Sequence, residues 1–350
     1  MLTHGAERSG LPTMPYEHDT TAMREDAANA VIARVRRSIA ARTSEALRRV
    51  VIELAPSHTA VALAIREPPF DDLPATVHLE HAMSNETVTD FTTVDSSKDP
   101  QFFLRFLDAA NKLPSIVTSK QIILDGLRLR NGGRVLDLGC GLGDDTFQIA
   151  ERVGPSGRVT GVDVSASMID EARRRAEERG LPVDFEVGDS QALRFGTGTF
   201  DGVRAERMLM HVPDAERAIA EMARVLAPGG RISVFDFDWE TQVCDSPYKE
   251  TTRTIALTFC DGMKNGWIGR RMPRLFASHG IADVAVKNET AFVTYEFLKL
   301  LIGGHVARLH DTGVVSREEA NQWWTSLAAA DRDGTFLYGF TAFIVSGTKA

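Results

Sequence analysis

The sequence predicts an α/β fold with a doubly wound, mostly parallel seven-stranded sheet and helices on both faces. Short apolar runs such as 134–136 and 158–163 alternate with stretches of helical periodicity, the pattern of strand–helix–strand units. A glycine-rich turn at 139–143 joins the first of these strands to a helix. Acidic residues stand at the ends of successive strands, where the crevice of an open α/β sheet accepts ligands. These features predict a domain with a ligand site at the carboxyl edge of its sheet.

The first 82 residues are expected to form a helical extension before this domain, which we assign to residues 83–350. Residues 1–20 are polar and contain glycine and proline, a composition typical of disorder. Residues 23–54 show a helical stripe of apolar positions with arginines between them. Acidic residues interrupt the basic face, so we expect a solvated helix rather than a membrane-surface or partner helix.

The glycine turn is the most informative motif of the chain. Gly139, Gly141 and Gly143 leave no Cβ between a ligand and the backbone, which suits either a dinucleotide or S-adenosylmethionine. The dinucleotide fingerprint needs a glycine at the position of Asp144, and a carboxylate at Asp137 would repel a pyrophosphate. The ammonium group of S-adenosylmethionine suits Asp137 instead, so the turn favours that ligand.

Further strands carry polar residues to the same edge. The second, Arg158–Asp163, ends in an acid whose two oxygens can accept both hydroxyls of a ribose. The third, Val183–Val187, alternates apolar positions and precedes Asp189, and the fourth begins at Phe200. The remaining predicted elements are a helix at 215–226, a fifth strand at 231–239, helices at 249–264 and 269–276, a sixth strand at 284–286, helices at 295–309 and 316–330, and a seventh strand at 337–345.

An insertion of about 40 residues separates the last two predicted strands, which is longer than an ordinary connection. Insertions of this kind often act as lids, and its apolar side chains would then select the substrate. The alternative is that the insertion packs onto the domain without any lid motion.

These motifs resemble, in order and spacing, those of the class I (Rossmann-like) S-adenosylmethionine-dependent methyltransferases, and most of all their type 11 small-molecule group. The resemblance extends over about residues 91–350. It implies transfer of a methyl group from S-adenosylmethionine to a small-molecule acceptor, such as a specialised metabolite or a quinone-like ring. The alternative is a protein that binds S-adenosylmethionine and guides a non-methylating reaction such as a cyclisation.

The resemblance also implies roles for single residues. In this family the acid that matches Asp163 accepts from the ribose hydroxyls, and the acid that matches Asp189 accepts from the adenine amino group. The expected cofactor contacts are Asp137, Gly139, Cys140, Gly141, Gly143, Asp163, Val164, Met168, Gly188, Asp189, Ser190 and Glu206.

The acceptor is expected to bind beyond the fourth and fifth strands. Arg207 follows the fourth strand, and Asp236, Asp238 and Trp239 end the fifth, which makes them the expected substrate contacts. His211 ends an apolar turn after the fourth strand. It could act as a general base towards an oxygen, nitrogen or carbon nucleophile, or it could be a structural residue among apolar neighbours.

The amino-acid composition limits which kinds of binding partner and cellular location are expected. The chain has 40 basic and 48 acidic side chains and a net charge of −8, which disfavours a nucleic-acid partner. No apolar run reaches the length of a membrane span, so we expect a cytoplasmic protein. The three cysteines are scattered and indicate neither a disulfide framework nor a metal site. The oligomeric state is left open.

Overall fold

A seven-stranded sheet forms the centre of the protein, and helices cover both of its faces. The computed structural model describes residues 91, 94–97 and 99–350, so the predicted N-terminal extension and its boundary at residue 83 lie outside the described residues. The strands lie in the order β3-β2-β1-β4-β5-β7-β6. Their bounds are β1 Arg134–Leu138, β2 Arg158–Asp163, β3 Asp184–Val187, β4 Phe200–Glu206, β5 Leu226–Cys244, β6 Ile281–Phe292 and β7 Tyr338–Lys349.

Nine helices flank these strands within the described part of the chain. Five of them start at a residue whose side chain caps the helix: for example, Ser165 accepts from the N–H of Met168, and Ser316 forms a capping box with Glu319. The helices are α1 Pro100–Ala110, α2 Pro114–Leu127, α3 Asp144–Val153, α4 Ala166–Arg179, α5 Ala215–Val225, α6 Lys249–Gly262, α7 Ile268–Ser278, α8 Tyr295–Asp311 and α9 Arg317–Arg332.

The first five strands pair in parallel, and β7 runs antiparallel to both β5 and β6. Strands of a parallel sheet are covered on both faces, and in β1 the side chains of Val135, Leu136 and Leu138 are all buried. Because parallel strands end at one edge, the loops after β1 to β4 converge there. The fold class predicted from the sequence is confirmed.

One predicted strand is much longer in the structure. β5 begins at Leu226, directly after α5, and continues to Cys244 instead of ending at Trp239. Its antiparallel partner β7 pairs with it as far as Cys244, with an irregularity between Asp238 and Val243. The residues that the sequence placed at the strand end therefore lie within the sheet.

The helical insertion near the C-terminus is present as α8 and α9, between β6 and β7. β6 itself spans Ile281–Phe292, which is longer than the predicted 284–286. The ring of Phe297 in α8 lies 5.6 Å from that of Phe106 in α1, so the insertion contacts the helix that opens the domain. Across the described ranges, no helix is long and apolar enough to cross a bilayer.

Candidate active site

A cavity of about 370 Å³ opens at the carboxyl edge of the sheet. The ends of β1 to β4 and the loops after them contribute Gly139, Asp163, Gly188 and Glu206 to its lining. Helices α1, α2 and α8 contribute side chains opposite these loops. This is the crevice in which open α/β sheets bind ligands, so the cavity is the candidate site.

The turn after β1 presents its backbone to the cavity. Gly139 has a left-handed conformation at φ +66°, and a Cβ there would lie 2.6 Å from Cγ of Met208, so only glycine fits. The N–H of Gly139 donates to the carbonyl of Val162 at 2.7 Å, which ties the turn to β2. The close approach of a ligand to the backbone, which the glycines predicted, is therefore possible here.

Asp163 ends β2 and lines the cavity beside this turn. Its Oδ2 accepts from the N–H of Gly141 at 2.9 Å, and its Oδ1 accepts from the N–H of Ser165 at 3.0 Å. A carboxylate oxygen has two lone pairs, so each oxygen keeps one acceptor position for a ligand. Burial raises the pKa of Asp163, against the effect of the two backbone donors. The arrangement can accept a pair of neighbouring hydroxyls.

Ten of the twelve predicted cofactor contacts line the cavity, and their contact with a ligand stays a prediction. Asp189 follows β3, and its Oδ1 accepts from the N–H of Gln191 at 2.8 Å. Burial raises the pKa of the Cys140 thiol well above its usual value, so this thiol is a small apolar group rather than a nucleophile. The ten are Gly139, Cys140, Gly141, Asp163, Val164, Met168, Gly188, Asp189, Ser190 and Glu206.

A buried ion network, which the sequence did not predict, borders the cavity. Lys120 of α2 lies 2.9 Å from Oε1 of Glu206 and also contacts Asp145. Arg204 lies 2.7 Å from Asp137 and 2.8 Å from Asp145, and it contacts Glu206 as well. Against the effect of burial, Lys120 and Arg204 hold the pKa of Glu206 well below its usual range. These charges are tolerated in the interior because each has opposite charges beside it.

Arg207 adds a third cation, which balances the three acids of this network. Its backbone is left-handed at φ +51°, an uncommon conformation for a residue with a Cβ. Its guanidinium lies 2.9 Å from Glu206 and donates to Oδ1 of Asn111 at 2.6 Å. Such local strain is common at functional sites, and Arg207 lines the cavity where the sequence predicted a substrate contact.

Two predicted cofactor contacts do not line the cavity, and the structure gives both another role. Asp137 is fully buried, and its oxygens accept from Arg204 and from the hydroxyl of Thr146, each at 2.7 Å. Its carboxylate therefore holds Arg204 rather than a ligand ammonium. Gly143 is the N-cap of α3 at φ +83°, where a Cβ would lie 2.8 Å from the ring of Phe185. It is required for close packing of helix and sheet.

His211 lines the cavity next to Phe91, with 5.2 Å between the ring centroids. Its Nδ1 is buried and has no hydrogen-bond partner among the described residues. Burial, and to a smaller degree the cations of Lys264 and Arg207, lower the pKa of His211 to about 3, so the ring is neutral near pH 7. A ring with this pKa is a weak base, but its Nδ1 can hydrogen-bond a ligand.

Two of the four predicted substrate contacts do not line the cavity. Asp236 and Asp238 are fully buried and do not line the cavity, whereas the alternate residues Phe237 and Trp239, on the other face of β5, do. Asp236 accepts from the N–H of Met210 at 3.3 Å, and burial raises its pKa to about 7. Asp238 accepts from Arg270 at 2.6 Å. Trp239 does line the cavity, and its Nε1 donates to Sδ of Met210 at 3.1 Å.

Most of the apolar lining comes from residues that the sequence did not mark individually, although Phe297 and Leu301 belong to the insertion whose apolar side chains were expected to contact the substrate. An apolar residue on a helix follows the same pattern whether it faces a core or a cavity, so no sequence signal distinguishes the two cases. Arg204 did carry a signal, because it is a charged residue between the apolar residues Val203 and Ala205 of a strand. The apolar residues include Phe91, Phe106, Met263, Phe297, Leu301 and Phe340.

Known proteins resemble this chain in the region that builds the cavity. One relative is the uncharacterized 37.1 kDa protein in transposon TN4556 of Streptomyces fradiae. The two sequences are 35% identical over 245 residues, which cover 69% of this chain and 69% of the relative. Residues 135–230, from β1 into β5, match the family model described as a methyltransferase domain. The chain belongs to the class I S-adenosylmethionine-dependent methyltransferases. S-adenosylmethionine is therefore its cofactor.

Two relatives of this methyltransferase are named for quinone methylation. It is 41% identical over 118 residues to the 2-phytyl-1,4-naphtoquinone methyltransferase of Thermosynechococcus vestitus, covering 34% of this chain and 52% of the relative. It is 44% identical over 104 residues to the demethylmenaquinone methyltransferase of Thermus thermophilus, covering 30% and 47%. The chain thus spans about half the length of these two relatives. The YcgJ protein of Bacillus subtilis shares the fold, with a TM-score of 0.50, 20% identity and coverage of 66% of this chain and 98% of that one.

Proposed function

We propose that this methyltransferase transfers a methyl group from S-adenosylmethionine to a small, largely apolar acceptor. The observation that carries the proposal is the two-sided lining of one cavity: polar groups at the ends of β1 to β3, and aromatic and aliphatic side chains from α1 and α8. Apolar surfaces with a few placed polar groups are typical of small-molecule sites. The names of the quinone methyltransferase relatives support a quinone-like ring or a specialised metabolite as the acceptor.

The polar side of the cavity is the proposed cofactor site. Asp163 accepts from the two ribose hydroxyls with the acceptor positions that Gly141 and Ser165 leave open. Asp189, after the neighbouring strand β3, accepts from the adenine amino group. Glu206 and Lys120 also line the cavity and offer opposite charges to the ammonium and carboxylate of the methionine part.

The apolar side of the cavity is the proposed acceptor site. S-adenosylmethionine supplies an electrophilic methyl group when it is bound. Phe91, Phe297 and Trp239 exclude water from the acceptor side and orient an apolar molecule towards the strand ends. Positioning of the two reactants supplies most of the rate. His211, neutral and with Nδ1 unpaired among the described residues, hydrogen-bonds a polar group of the acceptor.

We also propose that the acceptor is a small molecule rather than a nucleic acid, and that the protein acts in the cytoplasm. The net charge of −8 supports the first point, because a phosphate backbone is bound by clustered cations. The three cysteines are free, as is typical of proteins in a reducing compartment, and this supports the second.

The proposal is tested by incubating the protein with a metabolite extract and S-adenosylmethionine that carries a deuterated methyl group. We expect a deuterated product, detected by mass spectrometry, and one equivalent of S-adenosylhomocysteine for each acceptor consumed. A product that forms without label and without S-adenosylhomocysteine would favour the cyclisation alternative. An extract that stays unchanged in the presence of bound cofactor would contradict both.

A further inference from the structure

A short segment before α1 is bound to the N-terminus of α4, about 70 residues later in the chain. The contact is made by Asp95, in a single turn of 3₁₀ helix at 94–96. Its Oδ2 accepts from the N–H of Ala166 at 2.8 Å. Its Oδ1 accepts from the hydroxyl of Ser165 at 2.7 Å and from the N–H of Ser167 at 3.2 Å. One carboxylate thus satisfies several donors of another element.

This contact is electrostatically favourable. The first N–H groups of a helix have no partner within it, and the positive end of the helix dipole attracts a carboxylate. Burial alone would raise the pKa of Asp95, but the hydrogen bonds from Ser167, Ser165 and Ala166 together outweigh this effect and lower the pKa. The side chain is therefore ionised near neutral pH, and its hydrogen bonds are of the stronger, charge-assisted kind.

Ser165 connects this contact to the proposed ribose site. Its hydroxyl donates to Asp95 at 2.7 Å, while its own N–H donates to Oδ1 of Asp163 at 3.0 Å. The hydroxyl group of Ser165 also accepts from the N–H of Met168, which lines the cavity. A change at Asp95 therefore acts directly on the residues around the proposed nucleoside site.

The segment also contributes to the cavity lining. Val94 lines the cavity and is only 2% exposed. Phe91 lines it as well, and its ring lies 4.9 Å from that of Phe103 and 5.2 Å from that of His211. Phe91, beside His211, and Val94 therefore lie in the cavity wall, while the side chain of Asp95 is fixed at the N-terminus of α4.

We infer that Asp95 is a positioning residue that latches this segment to the N-terminus of α4 and thereby holds Phe91 and Val94 against the cavity. The inference rests on the proposed cofactor site. The latch also fixes Ser165, whose N–H donates to Asp163 at the proposed ribose site, so its loss increases the rate at which the nucleoside ligand leaves. Asp95 itself touches neither reactant.

The test compares three variants of the full chain by binding of S-adenosylhomocysteine. Asp95→Asn removes the negative charge and replaces one acceptor oxygen with an NH2 group. We expect a Kd for S-adenosylhomocysteine about tenfold higher, mainly through faster dissociation. Asp95→Glu keeps the carboxylate and should recover at least part of the affinity. Asp201→Asn is the matched control, because Asp201 also accepts from a distant backbone N–H, that of Arg134 at 2.9 Å, but at the opposite edge of the sheet.

Calorimetry gives the Kd, stopped-flow mixing gives the dissociation rate, and thermal unfolding gives Tm for each variant. The inference holds if Asp95→Asn weakens binding while Asp201→Asn does not, at similar changes in Tm. It is overturned if Asp95→Asn binds within twofold of the wild type, or if Asp201→Asn weakens binding equally. If the wild type itself binds no S-adenosylhomocysteine, the proposed function fails instead, so the two failures are distinguishable.

Discussion

The N–H of Gly141 donates to Oδ2 of Asp163 at 2.9 Å, which joins the turn after β1 to the acid that ends β2. The two strands are parallel neighbours, so both features lie at the same edge of the sheet. The turn is thereby fixed in the conformation that lets a ligand approach its backbone, and the carboxylate is fixed beside it. The site is preorganised by contacts within the protein.

Alanine at Gly139 should damage the site more than the same change at another left-handed glycine. Gly139→Ala places a Cβ 2.6 Å from Met208, whereas Gly180→Ala, at φ +65°, meets no atom within 4 Å. Both variants bear the backbone strain of about 1–2 kcal/mol, but only the first must displace a cavity residue. We expect a clear loss of S-adenosylhomocysteine affinity in Gly139→Ala alone, measured by calorimetry. Equal affinities in the two variants would show that the close approach at Gly139 is unimportant.

Removal of Arg204 should cost far more stability than removal of a surface arginine. Arg204→Met leaves Asp137, Asp145 and Glu206 with too few opposite charges, and breaking a buried pair costs about 3–5 kcal/mol. Arg134→Met, which removes a half-exposed pair with Asp201, should cost about 1 kcal/mol or less. Urea unfolding at pH 7 measures both free energies. Similar decreases in the free energy of unfolding of the two variants would show that Arg204 is not needed to neutralise the buried acids.

Replacement of His211 should make the free energy of unfolding decrease less as the pH falls. The pKa of His211 is about 3 in the folded protein and near 6.5 in the unfolded chain. Between these values the unfolded chain binds a proton that the folded protein does not, so this residue destabilises the fold as pH falls below 6.5. From pH 7.5 to pH 5.5 we expect the free energy of unfolding of the wild type to fall by about 1.4 kcal/mol more than that of His211→Asn. Equal decreases in the free energy of unfolding of the two proteins would indicate that the His211 ring lies in a more polar environment than the structure shows.

The sequence predicted those parts of the site that depend on one strand and the loop after it. Gly139 and Asp163 are such parts, because a strand–turn–helix pattern fixes both the conformation and the edge of the sheet. Asp137 has the same kind of position, but its partner is Arg204, its neighbour in the β1–β4 register. A pairing between residues 67 positions apart is not contained in the local pattern, so the sequence did not predict the contact of Asp137 with Arg204.

The errors on β5 and the missing apolar residues have a similar physical origin. The sequence predicts that β5 ends at Trp239, with Asp236 and Asp238 at its edge, but pairing with β7 extends β5 to Cys244. Phe297 lines the cavity from α8, 91 residues after the end of β4 at Glu206. Both outcomes depend on tertiary contacts that decide where a strand stops and which helix face meets a cavity.

The central claim is that this cavity binds the S-adenosyl nucleoside through Asp163, and titration calorimetry with S-adenosylhomocysteine tests it most directly. A hydrogen bond to a charged group contributes about 1.5–3 kcal/mol, so Asp163→Asn should bind roughly 10- to 100-fold more weakly than the wild type. Asp201→Asn, at the far edge of the sheet, should bind as the wild type does. A wild-type protein that takes up no S-adenosylhomocysteine, or an Asp163→Asn variant with unchanged affinity, would contradict the claim.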